Sequence, residues 1–301
     1  MTALSDMSLR GELRHNEPMS EHTSWRVGGA AELWYRPADL DDLGAFIAGV
    51  PQDMDIHWVG LGSNLLVRDG GLPGAVISTH KVLDRIAQQR DGRVYVQAGV
   101  ACAKLARQCS RWGLGPAEFF AGIPGTIGGA LAMNAGAFGG ETWERVIAVD
   151  VIGRDGEVRR RERNEYEISY RQVVAPAEEW YVGAQFGFDQ GAATGREAIR
   201  ELLARRKATQ PIGLPSCGSV FRNPPDDHAA RLIETAGLKG VAIGGARVSE
   251  MHANFIINEG EASAADIEQL IALIQKVVAE KHGVELMAEV HVVGQHAEGT
   301  V

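Results

Sequence analysis

Apolar residues in the first part of the chain alternate between strand-like runs and one helical stretch. Residues Ala31–Arg36, Ile56–Gly60 and Ala75–Thr79 form the short β-branched and aromatic runs typical of strands. Between the first two, Leu40–Ala48 has the apolar spacing of an amphipathic helix. This alternation of strands and a helix predicts an α/β unit over residues 1–80.

The next segment, residues 81–205, combines helices with strands that read as antiparallel. The pattern predicts a helix over Cys102–Trp112 that ends at Gly113, and a shorter one over residues 128–132. The Asp-Gly pair at 155–156 lies between two β-rich runs and favours a hairpin. The other elements expected here are strands Arg93–Ala98, Val146–Ile152, Glu157–Arg161 and Tyr181–Phe188 and helix Arg196–Lys207.

Residues 206–301 are expected to form a third segment. Its clearest element is the helix Ala264–His282, because Ser263 and Asp266 form a capping box and Gly283 is suited to end the helix. The other elements expected here are strand Ser219–Arg222, helix His228–Ala236, strand Asn254–Asn258 and a final strand Val284–Val293.

The composition is that of an ordinary globular protein, with 45% apolar and 23% charged residues. No run of about 18 apolar residues predicts a membrane span, and the polar first 25 residues lack a signal-peptide core, so we expect a cytoplasmic protein. A net charge of −9 argues against nucleic-acid binding. Cys102, Cys109 and Cys217 include no C-x-x-C pair, so neither disulfides nor a metal site is expected, and the first two share the core face of a helix.

Residues 122–141 are the densest feature of the chain, with seven glycines in twenty positions. Glycine lets the main chain approach a ligand closely, and successive turns can present N–H groups to a diphosphate. A second turn, Gly60–Asn64, makes two separated loops, which favours an extended dinucleotide, although a single such loop is more often a packing turn. The chain has neither a Rossmann G-x-G-x-x-G after a strand nor the Gly-Lys pair of a P-loop.

Four polar positions have candidate chemistry, and each has a plainer alternative. Arg171 beside Tyr170 can form a fork for a carboxylate, or it can be a solvated surface residue. Ser219 can donate a proton, or it can simply begin a strand after a tight bend. Glu289 among apolar residues can have a perturbed pKa, or it can face solvent. Lys207 can bind phosphate, or it can complement a helix C-terminus.

The chain resembles the UDP-N-acetylenolpyruvoylglucosamine reductase family in a series of motifs. Each motif is weak alone, but their shared order is specific and spans nearly the whole chain. The resemblance implies an α+β fold with two FAD-binding subdomains of the vanillyl-alcohol-oxidase/PCMH type, residues 1–80 and 81–205, and an α+β substrate domain, residues 206–301. The matching segments are Thr23–Gly29, Gly60–Val67, Gly122–Glu141, Tyr170-Arg171, Gly218–Pro224, His252–Phe255 and Leu286–Val290.

The same resemblance implies a cofactor and a reaction. FAD would be bound non-covalently, and NADPH would be the reductant. The substrate, UDP-N-acetylenolpyruvoylglucosamine, would be reduced to UDP-N-acetylmuramate for peptidoglycan, with a hydride from flavin N5 and a proton from the protein. FAD contacts are implied for Gly60, Leu61, Gly62, Ser63, Asn64, Leu65, Pro124, Gly125, Thr126, Gly128, Gly129, Asn134, Ala135 and Gly136.

Roles at single positions follow from the resemblance as well. Arg171 would stabilise the enolate-like charge on the substrate, and Ser219 would donate the proton. Glu289 would polarise or position groups around the protonated carbon. Substrate binding is implied for Tyr170, Lys207 and Asn223, the last two at the UDP diphosphate.

Other functions on the same scaffold predict different sequences. A protein like the flavin subunit of a molybdenum hydroxylase should lack Gly218–Pro224, which is present, and a covalent-flavin oxidase should show a histidine in the glycine turns, which have none. A non-catalytic sugar-nucleotide sensor should have lost Arg171, Ser219 or Glu289, and all three are present. With about a dozen residues after Glu289, we expect the shorter family type, without the loop tyrosine that closes over UDP.

Overall fold

The structure is a computed structural model that describes residues 9–89, 91–192 and 195–297. The helices are α1 Leu40–Gly49, α2 Cys102–Trp112, α3 Ile127–Ala132, α4 Gly195–Thr209, α5 Ala229–Thr235 and α6 Ala264–His282. The strands are β1 Glu12–Pro18, β2 Ala30–Arg36, β3 Ile56–Val59, β4 Leu65–Val67, β5 Leu72–Ser78, β6 Ile86–Gln88, β7 Val94–Gln97, β8 Leu114–Gly115, β9 Gly136–Ala137, β10 Gly140–Glu141, β11 Val146–Gly153, β12 Val158–Glu162, β13 Glu167–Ser169, β14 Gln172–Val174, β15 Glu179–Phe186, β16 Asp189–Gln190, β17 Ala242–Ile243, β18 Ala246–Val248, β19 Ile256–Asn258 and β20 His291–Val293.

The described residues form two compact units, each built from separate segments of the chain. Unit 1 takes its residues from 1–14, 33–61 and 74–205, and unit 2 takes its residues from 15–32, 62–73 and 206–301. The break after Arg205 coincides with the expected start of the third segment. The assignment of two FAD subdomains and a substrate domain to the three expected ranges stays a prediction.

The first core of unit 1 surrounds α1 and confirms the β-α-β pattern expected for residues 31–79. The sheet has the strand order β1-β2-β5-β3, and β3 runs parallel to β5. Asp39 caps α1 by accepting a hydrogen bond from the N–H of Asp42. The buried residues of this core are Leu33, Tyr35, Leu43, Phe46, Ile47, Val50, Ala75, Ile77, Leu83, Ile152 and Val182.

The second core of unit 1 lies against an antiparallel sheet of order β12-β11-β15-β7-β6. The expected hairpin is present, because β11 and β12 pair across the turn that contains Gly156 at a φ of 80°. Helix α2 ends at Gly113 in the left-handed conformation, as expected. Cys102 and Cys109 are both fully buried in this core, which confirms their expected place on the core face of α2.

Unit 2 packs α6 and α5 with a small antiparallel sheet of order β17-β18-β19. The capping box of α6 is present, with Ser263 and Asp266 bonded reciprocally, and Gly283 ends the helix at a φ of 67°. Strand β20 pairs in parallel with β4, from His291 with Leu65 onward. Throughout the described ranges, each helix is too short or too polar to cross a bilayer.

Two strands expected in unit 2 are wrong. Residues 219–222 form only an isolated pairing of Phe221 with Ala288, and the final strand begins at His291 rather than at Val284. This pairing is held by two main-chain bonds, from the N–H of Arg222 to the carbonyl oxygen of Met287 and from the N–H of Glu289 to that of Val220. On its other side, both main-chain groups of Phe221 bond to the side chain of Asn254, where a regular strand would bond to another strand.

Candidate active site

Arg171 lies in the two-residue loop of the hairpin formed by β13 and β14. The register pairs Ser169 with Gln172, and Arg171 has a φ of 57°. Its Nη2 donates to the carbonyl oxygen of Gly136 at 3.0 Å, and its Nη1 lies 3.4 Å from that of Asn134. The side chain is only 15% exposed, so Arg171 is enclosed by the glycine-rich segment and is not a solvated surface group.

The side chain of Asn134 is hydrogen-bonded to this hairpin. Its Nδ2 donates to the carbonyl oxygen of Ser169 at 3.1 Å and to Glu141 Oε2 at 2.8 Å, and its Oδ1 accepts from the N–H of Trp143 at 3.1 Å. Glu141 Oε1 also lies 3.9 Å from Arg171 Nη1. Asn134 is 1% exposed and uses its side chain within the protein, a role that the sequence did not indicate.

Tyr170 presents its ring to the guanidinium of its neighbour. The Cζ atom of Arg171 lies 4.8 Å from the centre of the Tyr170 ring, a cation–π distance. The ring itself is 45% exposed, so it has a free face as well as the face that contacts Arg171. An aromatic ring and a cation therefore lie side by side at the tip of this hairpin.

The two glycine loops approach each other within unit 1. A Cβ atom on Gly60 would lie 2.4 Å from Thr126 Oγ1, so the main chain at Gly60 has room only for glycine. This contact supports the prediction that both loops serve one ligand. Gly128 differs, because its N–H donates to the carbonyl oxygen of Ala98 at 2.8 Å and its Cα packs against Ala98.

The remaining residues of these loops vary in exposure. Leu61, Pro124 and Gly129 are exposed, Ser63, Leu65, Gly125 and Gly136 are half-buried, and Thr126 and Ala135 are buried.

The second half of the upstream turn belongs to unit 2, where it is bonded to the segment of Glu289. Gly62 has a φ of 59°, and its carbonyl oxygen accepts from the N–H of Ser24 at 3.0 Å. Asn64 Nδ2 donates to the carbonyl oxygen of Glu289 at 3.0 Å, and the N–H of His291 donates to the carbonyl oxygen of Asn64 at 3.0 Å. The predicted cofactor turn and the predicted acid–base residue are therefore neighbours.

Ser219 lies on an irregular bend that is bonded to the same segment. Gly218 starts the bend at a φ of 72°, and Ser219 is half-buried. The carbonyl oxygen of Val220 accepts from the N–H of Glu289 at 2.7 Å. Unit 2 thus brings together the main chains of Asn64, Ser219 and Glu289, which are far apart in sequence.

Lys207 and Asn223 have separate surroundings in unit 2. Lys207 is exposed near the end of α4 and lines a cavity of about 440 Å³ together with Pro211, Arg247 and Met251. Asn223 Oδ1 accepts from the N–H of Ala229 at 3.1 Å and so caps the first turn of α5. Asn223 is not among the described residues that line this cavity, and the predicted diphosphate contact of this pair stays a prediction.

Burial shifts the pKa of two titratable side chains near these segments, Cys217 and His252, and favours the neutral form of both. Burial raises the pKa of Cys217 to about 12, and its Sγ lies 3.5 Å from the carbonyl oxygen of Gly62, so the thiol is a packing group. Burial lowers the pKa of His252, whose ring packs edge-on against Phe255 at 4.8 Å. A neutral imidazole therefore lies near the Ser219 bend.

Two family models match the chain. Residues 31–161 match an FAD binding domain, and residues 210–293 match the UDP-N-acetylenolpyruvoylglucosamine reductase, C-terminal domain. The fold and these matches define an α+β flavoprotein oxidoreductase, which confirms the expected fold class and FAD as the expected cofactor. The close approach of the two glycine loops at Gly60, where a Cβ atom would collide with Thr126, fits such a cofactor.

Relatives with the same domain content identify the family. A UDP-N-acetylenolpyruvoylglucosamine reductase of Alkalilimnicola ehrlichii is 58% identical over 95% of this chain and 96% of its own length. The reductase of Nitrosococcus oceani is 56% identical over 99% of this chain and 100% of its own length. The crystal structure of the reductase from Thermus caldophilus matches with a TM-score of 0.79 and 30% identity, over 94% of this chain and 99% of that one. The chain belongs to the UDP-N-acetylenolpyruvoylglucosamine reductase family.

Proposed function

We propose that this chain reduces UDP-N-acetylenolpyruvoylglucosamine to UDP-N-acetylmuramate with FAD as cofactor and NADPH as reductant, in the cytoplasm, as a step of peptidoglycan precursor synthesis. The observation that carries the proposal is the set of bonds in unit 2. They connect the Gly62–Leu65 turn, the Ser219 bend and Glu289, which the proposed reaction needs close together. Identity of 58% to the UDP-N-acetylenolpyruvoylglucosamine reductase of Alkalilimnicola ehrlichii supports the same activity.

The reaction adds a hydride and a proton across the enol ether double bond. FAD, when bound and reduced by NADPH, would supply the chemistry of hydride donation to the vinyl carbon of the substrate. The electron pair of the double bond then moves onto the neighbouring carbon and its carboxylate. Arg171 stabilises that charge, because carbonyl oxygens of the glycine-rich segment already orient its guanidinium and little reorganisation is needed.

Ser219 donates the proton that completes the reduction. A hydroxyl has both the proton and the reach that a general acid needs, and the bend leaves Ser219 half-buried. The bond from the N–H of Glu289 to the carbonyl oxygen of Val220 keeps the two segments together. Glu289 polarises or positions the groups around the protonated carbon, and solvent restores the proton of Ser219.

Substrate binding in this proposal involves Tyr170, Lys207 and Asn223. Tyr170 contributes the free face of its ring beside Arg171, and Lys207 and Asn223 contact the UDP diphosphate. Sugar nucleotide and NADPH are then the ligands of the protein besides FAD. The side chain of Asn223 also has a structural role, because its Oδ1 caps α5.

The decisive experiment is an anaerobic visible spectrum of the purified protein. A flavin band should bleach with NADPH and return after UDP-N-acetylenolpyruvoylglucosamine is added. A band that bleaches but ignores the sugar nucleotide would indicate another oxidoreductase of the superfamily. A non-catalytic sensor would bind the sugar nucleotide without any return of the flavin band. A protein that contains no flavin, even after FAD is added, would contradict the proposal.

The proposed proton donor is tested by Ser219→Ala. We expect flavin reduction by NADPH to stay within about two-fold, and reoxidation by the enolpyruvyl substrate to slow by about 10²–10⁴-fold, the range for loss of a general acid. Stopped-flow absorbance measures both half-reactions. Ser216→Ala, three residues upstream in the same loop and also half-buried, is the control and should change neither rate. Normal reoxidation in Ser219→Ala would remove Ser219 from the mechanism.

A further inference from the structure

The motif His252–Phe255 takes no part in the reaction as proposed, yet it contacts the Ser219 bend directly. We propose that Asn254 is a positioning residue that sets the place and direction of the Ser219 hydroxyl; this rests on the proposed function of Ser219 as proton donor. The argument depends on three hydrogen bonds that one buried residue makes to the two residues after Ser219.

Asn254 bonds to this bend with its main chain and with both ends of its side chain. Its carbonyl oxygen accepts from the N–H of Val220 at 2.9 Å. Its Oδ1 accepts from the N–H of Phe221 at 2.9 Å, and its Nδ2 donates to the carbonyl oxygen of Phe221 at 2.8 Å. The carboxamide therefore replaces the donor and the acceptor that a neighbouring strand would offer.

The bend has no simple way to relax if these bonds are lost. Val220 and Phe221 are each 1% exposed and Asn254 is 3% exposed, so water cannot easily replace the carboxamide. On the opposite side, the carbonyl oxygen of Val220 is bonded to the N–H of Glu289. The main chain after Ser219 is thus fixed from two sides, by Asn254 and by the Glu289 segment.

The consequence concerns the protonation step alone. The Ser219 side chain starts from a backbone whose next two residues are set by Asn254, and whose preceding residue, Gly218, turns at a φ of 72°. A shift of about 1 Å in a reacting group can cost about 100-fold in rate. Loss of the Asn254 contacts should therefore slow proton donation, while the flavin can still be reduced.

The test compares two isosteric substitutions. Asn254→Asp keeps the shape but replaces the Nδ2 donor with a carboxylate oxygen that repels the carbonyl of Phe221. Asn258→Asp is the matched control, because Asn258 is 5% exposed and its side chain also bonds main chain in unit 2, at the buried Trp25 and at Gly260 and Ala262. None of these partners belongs to the Ser219 bend. Asn258→Asp should therefore destabilise the protein as Asn254→Asp does, without moving Ser219.

We expect Asn254→Asp to slow flavin reoxidation by the enolpyruvyl substrate by about 100-fold and to leave reduction by NADPH within about two-fold. The solvent deuterium isotope effect on reoxidation should rise, because proton transfer then limits the step. Asn258→Asp should lower the melting temperature by a similar amount without changing the ratio of the two rates. If Asn254→Asp does not yield folded flavoprotein, Asn254→Ser, which keeps the main-chain bond to Val220, should show the same split.

A double variant separates failure of the inference from failure of the proposed function. If Asn254 acts through Ser219, Ser219→Ala combined with Asn254→Asp should reoxidise within about two-fold of Ser219→Ala alone. Fully additive effects, or an unchanged ratio of the two rates in Asn254→Asp, would overturn the positioning role. Normal reoxidation in Ser219→Ala would instead contradict the proposed function of Ser219.

Discussion

At the scale of single residues, Gly62 shows why the upstream turn needs glycine. It has a φ of 59°, and a Cβ atom there would lie 2.0 Å from the carbonyl oxygen of His22 and 2.7 Å from the Cα of Thr23. Both neighbours are main-chain atoms, so neither can move aside as a flexible side chain would. The main chain of residues 22–23 must shift before any larger residue fits at position 62.

We therefore expect Gly62→Ala to lower the free energy of unfolding by about 3 kcal/mol or more and to reduce the FAD content of the purified protein. Urea unfolding and the ratio of flavin to protein absorbance measure these effects. Gly283→Ala is the control, because Gly283 has a φ of 67° but open space around its Cα. It should cost only about 1 kcal/mol and retain FAD, and equal costs at both positions would contradict the steric argument.

The sequence alone could indicate the glycines and the charged candidates, because residue type suggests their chemistry, and their roles stay predictions. The sequence did not indicate the roles of Asn134 and Asn254. Their carboxamides bond to main chain 35 and 33 residues away, at Ser169 and Phe221. The role of a buried amide depends on such distant partners, and the residues next to it in sequence do not indicate which partners it will have.

At the scale of elements, the N-terminus of α6 is capped twice. Ser263 supplies the local cap, and Asp69 accepts from the N–H groups of Ala264 and Ala265 at 2.9 Å each. Next to it, Arg68 forms a forked ion pair with Glu268 on the same helix. The segment that follows the Gly62 turn is thereby attached to the longest helix of unit 2.

Asp69→Ala should remove two of these bonds and cost about 1–2 kcal/mol in the free energy of unfolding. It should also lower FAD retention, because the segment that begins at Gly62 loses an attachment. The matched control is Asp39→Ala, which removes the aspartate cap of α1 in unit 1 and should destabilise without loss of FAD. Chemical denaturation and flavin content after gel filtration measure both; equal loss of FAD in the two variants would refute the attachment role.

Helices were predictable because their signals are local. The bounds of α2 and α6 agree with expectation at both ends, where Gly113 and Gly283 end them in the left-handed conformation. Strands were less predictable, since pairing depends on distant partners. The polar sequence of β1 shows no alternation, and in the expected strand 219–222 the main chain of Phe221 bonds to the side chain of Asn254.

At the scale of the whole molecule, each unit contains a histidine that favours its neutral form. Burial lowers the pKa of His80 in unit 1 and of His252 in unit 2 below the ordinary value of 6.5. Each Nδ1 is buried, and within the described part of the chain neither has a hydrogen-bond partner. Burial outweighs the neighbouring groups that favour protonation, which include Asp84 for His80 and Glu234 for His252, so both rings favour the neutral form in the folded protein.

The unfolded chain binds protons near pH 6.5, whereas the folded chain binds them only at lower pH. The stabilisation is therefore complete above about pH 6.5 and is lost as the pH falls toward the lowered pKa values. We expect the melting temperature to fall between pH 7.5 and pH 5.5, and His80→Gln to reduce that fall. His15→Gln, at an exposed position, is the control and should leave the fall unchanged; a fall that His80→Gln does not alter would exclude His80 as a cause.

The units themselves were only partly predictable. The break at residue 205 was expected, but residues 15–32 and 62–73 join the C-terminal segment rather than their sequence neighbours. Strand β4 gives no local sign that its parallel partner is β20. Hydrophobic periodicity predicts elements, whereas the choice of partner depends on contacts between distant parts of the chain.

This interleaving also orders events during synthesis on the ribosome. Asn64 and its partner Glu289 are separated by 225 residues. At bacterial elongation rates of roughly 5–20 residues per second, Asn64 precedes that partner by on the order of 10–45 s. Until then the turn at Gly62 lacks its bonds to the Glu289 segment, so the predicted cofactor turn is completed only after residue 289 has been synthesised.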